Sequence, residues 1–396
     1  MSEITFEQYL ALLVEEQDSA ATPFEWLTIL RKYDEIIRLL PDKAVLYHNR
    51  CTVLQNLGLY QLALKDINKA VELAPNYAIA WCNKAMLHNL LGDYSQGWQA
   101  YEWRWQTGLP AFEPLEINIP QWQGENIGNA KILFHVEQGF GDNIQFVRYA
   151  LEMKRQGLNV VVLNHSGIEN LLNDNLAQHG IETMRNGGRV SGLAYHLPML
   201  SAPLVFGCTL ENIPYSNGYL QAQPEFLAKW QEKITACSKR QRLKIGVVWA
   251  GSAKHNRNAS RSLPFELFSQ LFALDADFHC LQKELNETDY KRSDLFENLH
   301  IWQQDIGDFS DTAALIAQMD LVISVDTSVA HLAAAMSKPT WVMLSYHPDF
   351  RWLLTRQDSP WYDSVKLFRQ DASLNWQSVI KNIQQQQLQH ILKENT

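Results

Sequence analysis

A chain that repeats itself at a fixed period has to stack its units. Residues 44–77 and 78–111 match at a shift of 34. Tyr47 pairs with Trp81, Cys51 with Ala85, Leu57-Gly58 with Leu91-Gly92, Tyr60 with Tyr94, Ala63 with Gly97, and Ile67 with Tyr101. The first unit closes on Ala70-Val71-Glu72-Leu73-Ala74-Pro75. An early aromatic residue, small residues where two helices touch, a glycine at the turn and a closing proline describe a helix pair. Such a pair cannot bury its faces alone and needs neighbours. A weaker unit precedes, with Tyr33 and Pro41 one period before Ile67 and Pro75. Two clear units make a short array, expected to lean on the domain after it.

The period and its consensus resemble the tetratricopeptide repeat. Thirteen tryptophans are present, and Trp81, Trp98, Trp103, Trp105 and Trp122 fall close together around the end of the array. Trp81 fills a repeat position. The other four are expected to be buried and to join the array to the next domain.

Past the repeats the periodicity changes. Residues 106–129 hold three prolines and three glycines and read as a connection. Then come Lys131–Val136, a glycine-rich turn, the helical pattern Ile144, Val147, Ala150, Leu151, and the apolar run Asn159–Leu163. A second series begins at Leu243–Ala250. It continues through strands at Phe278–Leu281 and Leu299–Trp302, and a helix Thr312–Met319 behind a cap at Asp311. Strand Leu321–Val325, helix Thr327–Met336 and strand Thr340–Leu344 complete it. Short apolar runs alternating with helices imply parallel sheets covered on both faces. Five segments are expected: helical repeats at 1–110, a connection at 111–129, one α/β domain at 130–225, a second at 241–373, and a helix at 374–396 packing back through Ile380, Ile383, Leu388 and Ile391.

Composition narrows the function. With 396 residues and 46% hydrophobic side chains, disorder is excluded. A formal charge of −9 argues against nucleic acid as partner. The first twenty residues lack a basic n-region, and no run approaches the ~18 apolar residues of a membrane span. Five cysteines, widely spaced and without a CxxC pair, point to a reducing cytoplasm.

Open α/β sheets bind ligands beyond the carboxyl ends of their strands, so each turn after a strand is a candidate. In the first, Gln138, Gly139 and Gly141 allow close approach of a ligand, while Ile144 replaces the third glycine of a dinucleotide fingerprint. Asp142 has two readings there, a helix N-cap or a general base. The second turn, Gly251–Pro264, carries Lys254, Arg257, Arg261 and His255 in a chain that is acidic overall. A solvated loop and a diphosphate clamp compete, and Arg261 is the best-placed donor. Lys283, after the next strand, is a phosphate or ribose ligand or a surface ion-pair partner. The fourth turn is the most informative: Asp326-Thr327-Ser328-Val329-Ala330-His331 opens a helix whose N–H groups and dipole suit a pyrophosphate. The plainer reading has Asp326 as a cap and His331 as a satisfied core histidine. No metal site emerges: Asp275-Ala276-Asp277 precedes a strand and reads as a turn, and neither HExxH nor GxSxG is present.

Taken together, residues 122–370 resemble glycosyltransferase family 9, the lipopolysaccharide heptosyltransferases. The chain is closer still to bacterial proteins that join tetratricopeptide repeats to such a domain. The resemblance rests on the run from Glu137 to Tyr149, Val248-Trp249-Ala250-Gly251, Ser324–Ala333 and Asp349-Phe350-Arg351-Trp352. It implies a GT-B fold of two Rossmann-like domains, with donor on the second and acceptor facing the first. It implies inverting transfer from a nucleotide-sugar co-substrate without metal or other cofactor. By the same resemblance Asp142 is the base, and Arg261, Asp326, Thr327, Ser328 and His331 hold the donor. Repeats fused to a transferase also resemble the O-linked N-acetylglucosamine transferases. A protein or peptide acceptor recruited by the repeats is therefore expected, rather than lipopolysaccharide. A scaffold with an inactive transferase domain, or a GT-B epimerase or hydrolase, is the alternative.

Overall fold

Repeated helix pairs need repeated stops, and the sequence supplies them at equivalent positions. Six helices, α1 (Phe6–Ser19), α2 (Pro23–Leu39), α3 (Ala44–Asn56), α4 (Tyr60–Leu73), α5 (Ala78–Leu90) and α6 (Tyr94–Tyr101), form the array in this computed structural model. It describes residues 5–137, 139–185, 187–188, 190–237, 242–252 and 258–386. Thr5 with Gln8 and Thr22 with Glu25 make reciprocal capping boxes for α1 and α2. Gly58 and Gly92 end α3 and α5 at φ of +73° and +85°, a conformation that favours glycine and so fixes the paired Leu-Gly. Tyr47 Oη donates to the Pro41 carbonyl (3.0 Å) and Trp81 Nε1 to the Pro75 carbonyl (2.8 Å). The same hydrogen bond thus recurs one period apart. Between the units lies a core of Cys51, Leu54, Ala63, Ile67, Ala70, Ala80 and Leu87.

The chain divides into two compact units, and the helical one contains Asp349–Leu354 besides the first 115 residues. Those six residues fall inside the stretch 241–373 that the sequence assigns to the second α/β domain. Phe350 meets Trp98 edge to face at 5.6 Å, and Trp98 and Trp352 are buried. Trp98 therefore packs, within the helical unit, on residues that come much later in the chain. Two others of the group behave differently. Trp103 stacks on Trp81 within the repeats (5.3 Å, 8°), and Trp122 packs on Phe206 within the sheet unit.

The second unit holds two parallel sheets. The first is built from β1 (Lys131–His135), α7 (Phe140–Phe146), α8 (Arg148–Arg155), β2 (Asn159–Leu163), α9 (Glu169–Ala177), β3 (Glu182–Met184) and β4 (Leu193–Pro198), in the order β3-β2-β1-β4. Helices α10 (Ala202–Val205) and α11 (Pro224–Cys237) come next. The following segment comprises β5 (Leu243–Val248), α12 (Asn258–Arg261), α13 (Phe265–Phe268), β6 (Ala276–Cys280), α14 (Glu287–Ser293), β7 (Leu299–Ile301) and α15 (Phe309–Ala317). Then come β8 (Leu321–Val325), α16 (Ser328–Ala335), β9 (Thr340–Leu344), β10 (Val365–Arg369) and α17 (Trp376–Gln386). This sheet runs β10-β9-β8-β5-β6-β7, every neighbour parallel. All five residues of β6, β8 and β9 are buried, and β8 and β9 accordingly read as nearly continuous apolar runs, whereas β6 carries Asp277 and His279. Helical repeats followed by two parallel α/β sheets are the fold class the sequence implies.

Several local expectations change. The single helix expected through Ile144 and Leu151 breaks at Val147 into α7 and α8. Helix α15 is capped by Asp308, not Asp311. Asp311 instead accepts from Lys229 Nζ (2.7 Å), Trp230 Nε1 (2.9 Å) and the Gly307 N–H (2.8 Å), which docks α11. Burial would raise its carboxyl pKa, but these three donors hold it below the ordinary value. Asp277 lies inside β6 rather than in a turn, and Arg242 pairs with Asp275 at 2.9 Å. In the C-terminal helix Ile380 and Ile383 are buried, and Leu388 and Ile391 lie outside the described residues. Among the described residues no helix is long and apolar enough to cross a membrane.

Candidate functional site

The strand ends of both sheets supply the site. At the end of β1, the Glu137 carboxylate accepts the Leu200 N–H at 2.8 Å, and Gly139 is the N-cap of α7. Asn143 Nδ2 donates back to the Gly139 carbonyl (3.0 Å). Asp142 is thus not the N-cap. It sits half-buried in the first turn of α7. Phe140 packs on His165 (4.6 Å) and on Phe309 at the start of α15 (5.0 Å). Gly167 makes room for it, since a Cβ there would lie 2.5 Å from the Phe140 ring.

At the end of β5, the N–H groups of Trp249 and Ala250 both donate to Gln282 Oε1 (2.7 and 3.3 Å). Trp249 Nε1 donates to Asp289 (2.9 Å), and the Leu263 N–H returns to the Trp249 carbonyl (2.8 Å). These bonds hold Gly251 under Arg261, the last residue of the short helix α12. Arg261 Nη1 reaches across to the Asp326 carbonyl at 3.0 Å, which carries this cation to the end of β8. A Cβ on Gly251 would lie 2.5 Å from Arg261 Nη2. Gly251→Ala should therefore displace a flexible side-chain end at little cost in stability. We expect its nucleoside diphosphate Kd to rise about tenfold, the lower end for one charge-assisted hydrogen bond, with a melting temperature near that of the parent. Calorimetric titration checks this, and an unchanged Kd would free Arg261 from any donor role.

At the end of β8 the turn is held by its own side chains. Ser324 Oγ and Thr327 Oγ1 lie 3.1 Å apart, so the Thr327 hydroxyl is engaged behind the helix and does not cap it. Thr327, not Asp326, occupies the N-cap position of α16. The backbone N–H groups of Ser328, Val329 and Ala330 open that helix without a side-chain cap. His331 is 4% exposed. Its Nδ1 lies 3.0 Å from the Tyr362 hydroxyl and its Nε2 3.9 Å from Asp326 Oδ1.

The two sheets meet at these turns. A Cβ built on Gly141 would lie 3.3 Å from His331 Cδ2 and 3.8 Å from Ser328 Cα. The Gly141-Asp142 turn of the first sheet thus faces the start of α16 on the second. Lys283 is not part of this group: it is exposed and donates to the Gly307 carbonyl in the loop before α15. Lys254 and Gln138 lie outside the described residues. Among the described residues, no group of three or more His, Cys, Asp or Glu side chains is arranged to hold a metal ion.

Three residues of the site were not singled out from sequence. Gln282 ties β5 to β6, and Tyr362 holds His331. Arg148 is fully buried. It donates to the carbonyls of Gln145 (2.8 Å), Pro214 (3.2 Å) and Trp361 (2.9 Å), and to the Tyr219 hydroxyl (3.1 Å). A lone cation within the apolar stretch Ile144–Leu151 was the available signal.

An array of helix pairs joined to a unit of two parallel sheets, with the strand-end turns of those sheets meeting, defines a class of repeat-bearing α/β proteins. Comparison with known proteins specifies it. Residues 308–387, behind the repeats, match the family model for glycosyltransferase family 9 (heptosyltransferase). Protein FlbA of Caulobacter vibrioides is 24% identical over 381 residues, 89% of this chain and 62% of FlbA. The chain thus spans less than two thirds of that relative. Over the helical region, tetratricopeptide repeat protein 36 of Xenopus tropicalis is 39% identical across 70 residues, 16% of this chain and 35% of that protein. Among solved structures, E. coli ADP-heptose LPS heptosyltransferase II is 12% identical, covering 67% of this chain and 100% of its own, with a TM-score of 0.45.

Proposed function

We propose that this protein is a metal-independent, inverting glycosyltransferase. It would move a sugar from a nucleotide-sugar donor to a hydroxyl of a protein or peptide recruited by the repeats. The observation that carries the reading is the meeting of Gly141-Asp142 with the first turn of α16, next to Arg261. Asp142 takes the proton from the acceptor hydroxyl as that oxygen attacks the anomeric carbon. The bond from that carbon to the diphosphate breaks on the opposite face. Arg261 and the N–H groups of Ser328, Val329 and Ala330 stabilise the charge growing on the leaving diphosphate. Glycine at 141 lets the Asp142 turn come this close to His331 and Ser328, where a Cβ would press on the imidazole at 3.3 Å.

The repeats support a protein acceptor, because stacked helix pairs present a continuous surface to a partner chain. The five cysteines are all unbridged, which supports a reducing, cytoplasmic setting. Thermal melts with ADP, GDP and UDP test the reading most cheaply. One of the three should raise the melting temperature, since a ligand at a hundredfold excess over its Kd adds about 2.7 kcal/mol. No shift with any of them would favour a scaffold whose transferase domain binds no donor.

A further inference from the structure

The geometry points to Tyr362 as a positioning residue that fixes the tautomer and orientation of His331, and to Arg148 as the group that fixes Tyr362. This rests on the transferase reading proposed above, with His331, in the first turns of α16, also holding the donor. The tyrosine hydroxyl lies 3.0 Å from His331 Nδ1, and both side chains are buried. Either atom could carry the shared proton. The Arg148 guanidinium decides between them. It lies 4.7 Å from the centre of the Tyr362 ring, and its Nη1 donates to the neighbouring Trp361 carbonyl at 2.9 Å. A fixed cation against a phenol draws electron density from the oxygen. The hydroxyl becomes the better donor and the poorer acceptor. Tyr362 therefore donates to Nδ1, and the imidazole proton sits on Nε2.

That proton falls where the site can use it. Nε2 is 3.9 Å from Asp326 Oδ1, and the Cδ2 edge of the ring faces Gly141. An Nε2–H at this point is a neutral donor aimed at the junction of the two sheets, where a diphosphate oxygen would lie. Arg148 stands on α8, behind the Asp142 turn. Its Nη2 also donates to Tyr219, whose hydroxyl donates to the Ile144 carbonyl at 2.7 Å. One buried cation thus ties the helix of the proposed base to the histidine of the proposed donor site. Neither Arg148 nor Tyr362 faces the junction, so each acts through His331.

Selective 15N-histidine labelling of the full chain reads the tautomer, with His331→Gln assigning the signal. The parent should show His331 with an unprotonated Nδ1 and a protonated Nε2. A proton on Nδ1 in the parent would overturn the proposal without any further variant. Tyr362→Phe keeps the ring and should convert His331 to a mixture of tautomers. It should also raise the Kd of whichever of ADP, GDP or UDP gives the thermal shift by about fivefold, the worth of one neutral hydrogen bond. An unchanged tautomer or an unchanged Kd in Tyr362→Phe would each sink the positioning role. If the parent binds none of the three nucleotides, the transferase reading fails and the donor role of His331 falls with it. The tautomer measurement then still decides whether Tyr362 and Arg148 orient the ring.

Discussion

Asp142→Asn should lose sugar transfer by roughly 10²–10⁴-fold, the usual contribution of a positioned general base, while binding nucleoside diphosphate as the parent does. The split arises from where the proposed groups stand. Asp142 belongs to the turn after β1, on the first sheet, whereas Arg261 and the start of α16 belong to the second. The amide keeps the size and polarity of the side chain but cannot accept the proton of an attacking hydroxyl. Stability should change little. Asp142 is one carboxylate in the first turn of a helix, worth roughly 0.3–1 kcal/mol to that helix. Single-turnover transfer measured beside calorimetric binding separates the possibilities. Retained transfer would reduce Asp142 to a dipole partner of α7, and lost binding would put it on the donor instead of the acceptor. Sugar released to water at equal rates with and without an acceptor would turn the reading toward a hydrolase.

How much of this was legible in the sequence depended on whether the cause was local. Strands β2, β8 and β9 lie where their apolar runs place them, because a strand buried on both faces leaves a continuous hydrophobic signature. The repeat period was legible for a similar reason: each unit needs the same glycine at its turn and the same aromatic bond to the proline that closes the unit before it. Caps were misread where two carboxylates competed. Asp308 and Asp311 both precede the helical run. Only the position of Lys229 and Trp230, some eighty residues earlier, decides that Asp311 docks α11 and leaves the cap to Asp308. The candidate site divides in the same way. Asp326, Thr327, Ser328 and His331 are neighbours in one strand–turn–helix unit and could be read together. Tyr362 and Arg148 reach His331 from other elements, one of them more than two hundred residues away along the chain from the other. Their pairing is a consequence of the two sheets folding, and no spacing in the sequence encodes it. Lys283 shows the opposite error: a cation at a strand end looks like a ligand until the loop before α15 is seen to offer it the Gly307 carbonyl.

Gly218→Ala should destabilise the sheet unit by about 4 kcal/mol and weaken nucleotide binding with it. Two costs add. Gly218 has φ +100°, which a residue with a side chain adopts at roughly 1–3 kcal/mol. Its new Cβ would also collide with Ser337 Oγ and lie 3.1 Å from Ser337 Cβ and 3.2 Å from the Ala335 carbonyl, an overpacking worth roughly 1–3 kcal/mol more. Ser337 cannot swing aside freely, because its hydroxyl donates to the Asn217 carbonyl and its own φ is +58°. Gly157→Ala isolates the first cost: its φ is +83° and nothing lies within 4 Å of a Cβ there. Denaturant melts followed by tryptophan fluorescence should show the larger loss at Gly218, and equal losses would mean that the contact with Ser337 relaxes away. The functional consequence comes from the two residues after the glycine. The N–H groups of Tyr219 and Leu220 both donate to the Ala335 carbonyl (2.8 and 3.0 Å), which closes the C-terminal end of α16. A helix displaced at that end moves Ser328 and His331 at the other, and Tyr219 moves with it, loosening its grip on Arg148 and on the Ile144 carbonyl. Nucleotide affinity should therefore fall in Gly218→Ala even at temperatures where the variant is fully folded, and stay at the parental value in Gly157→Ala.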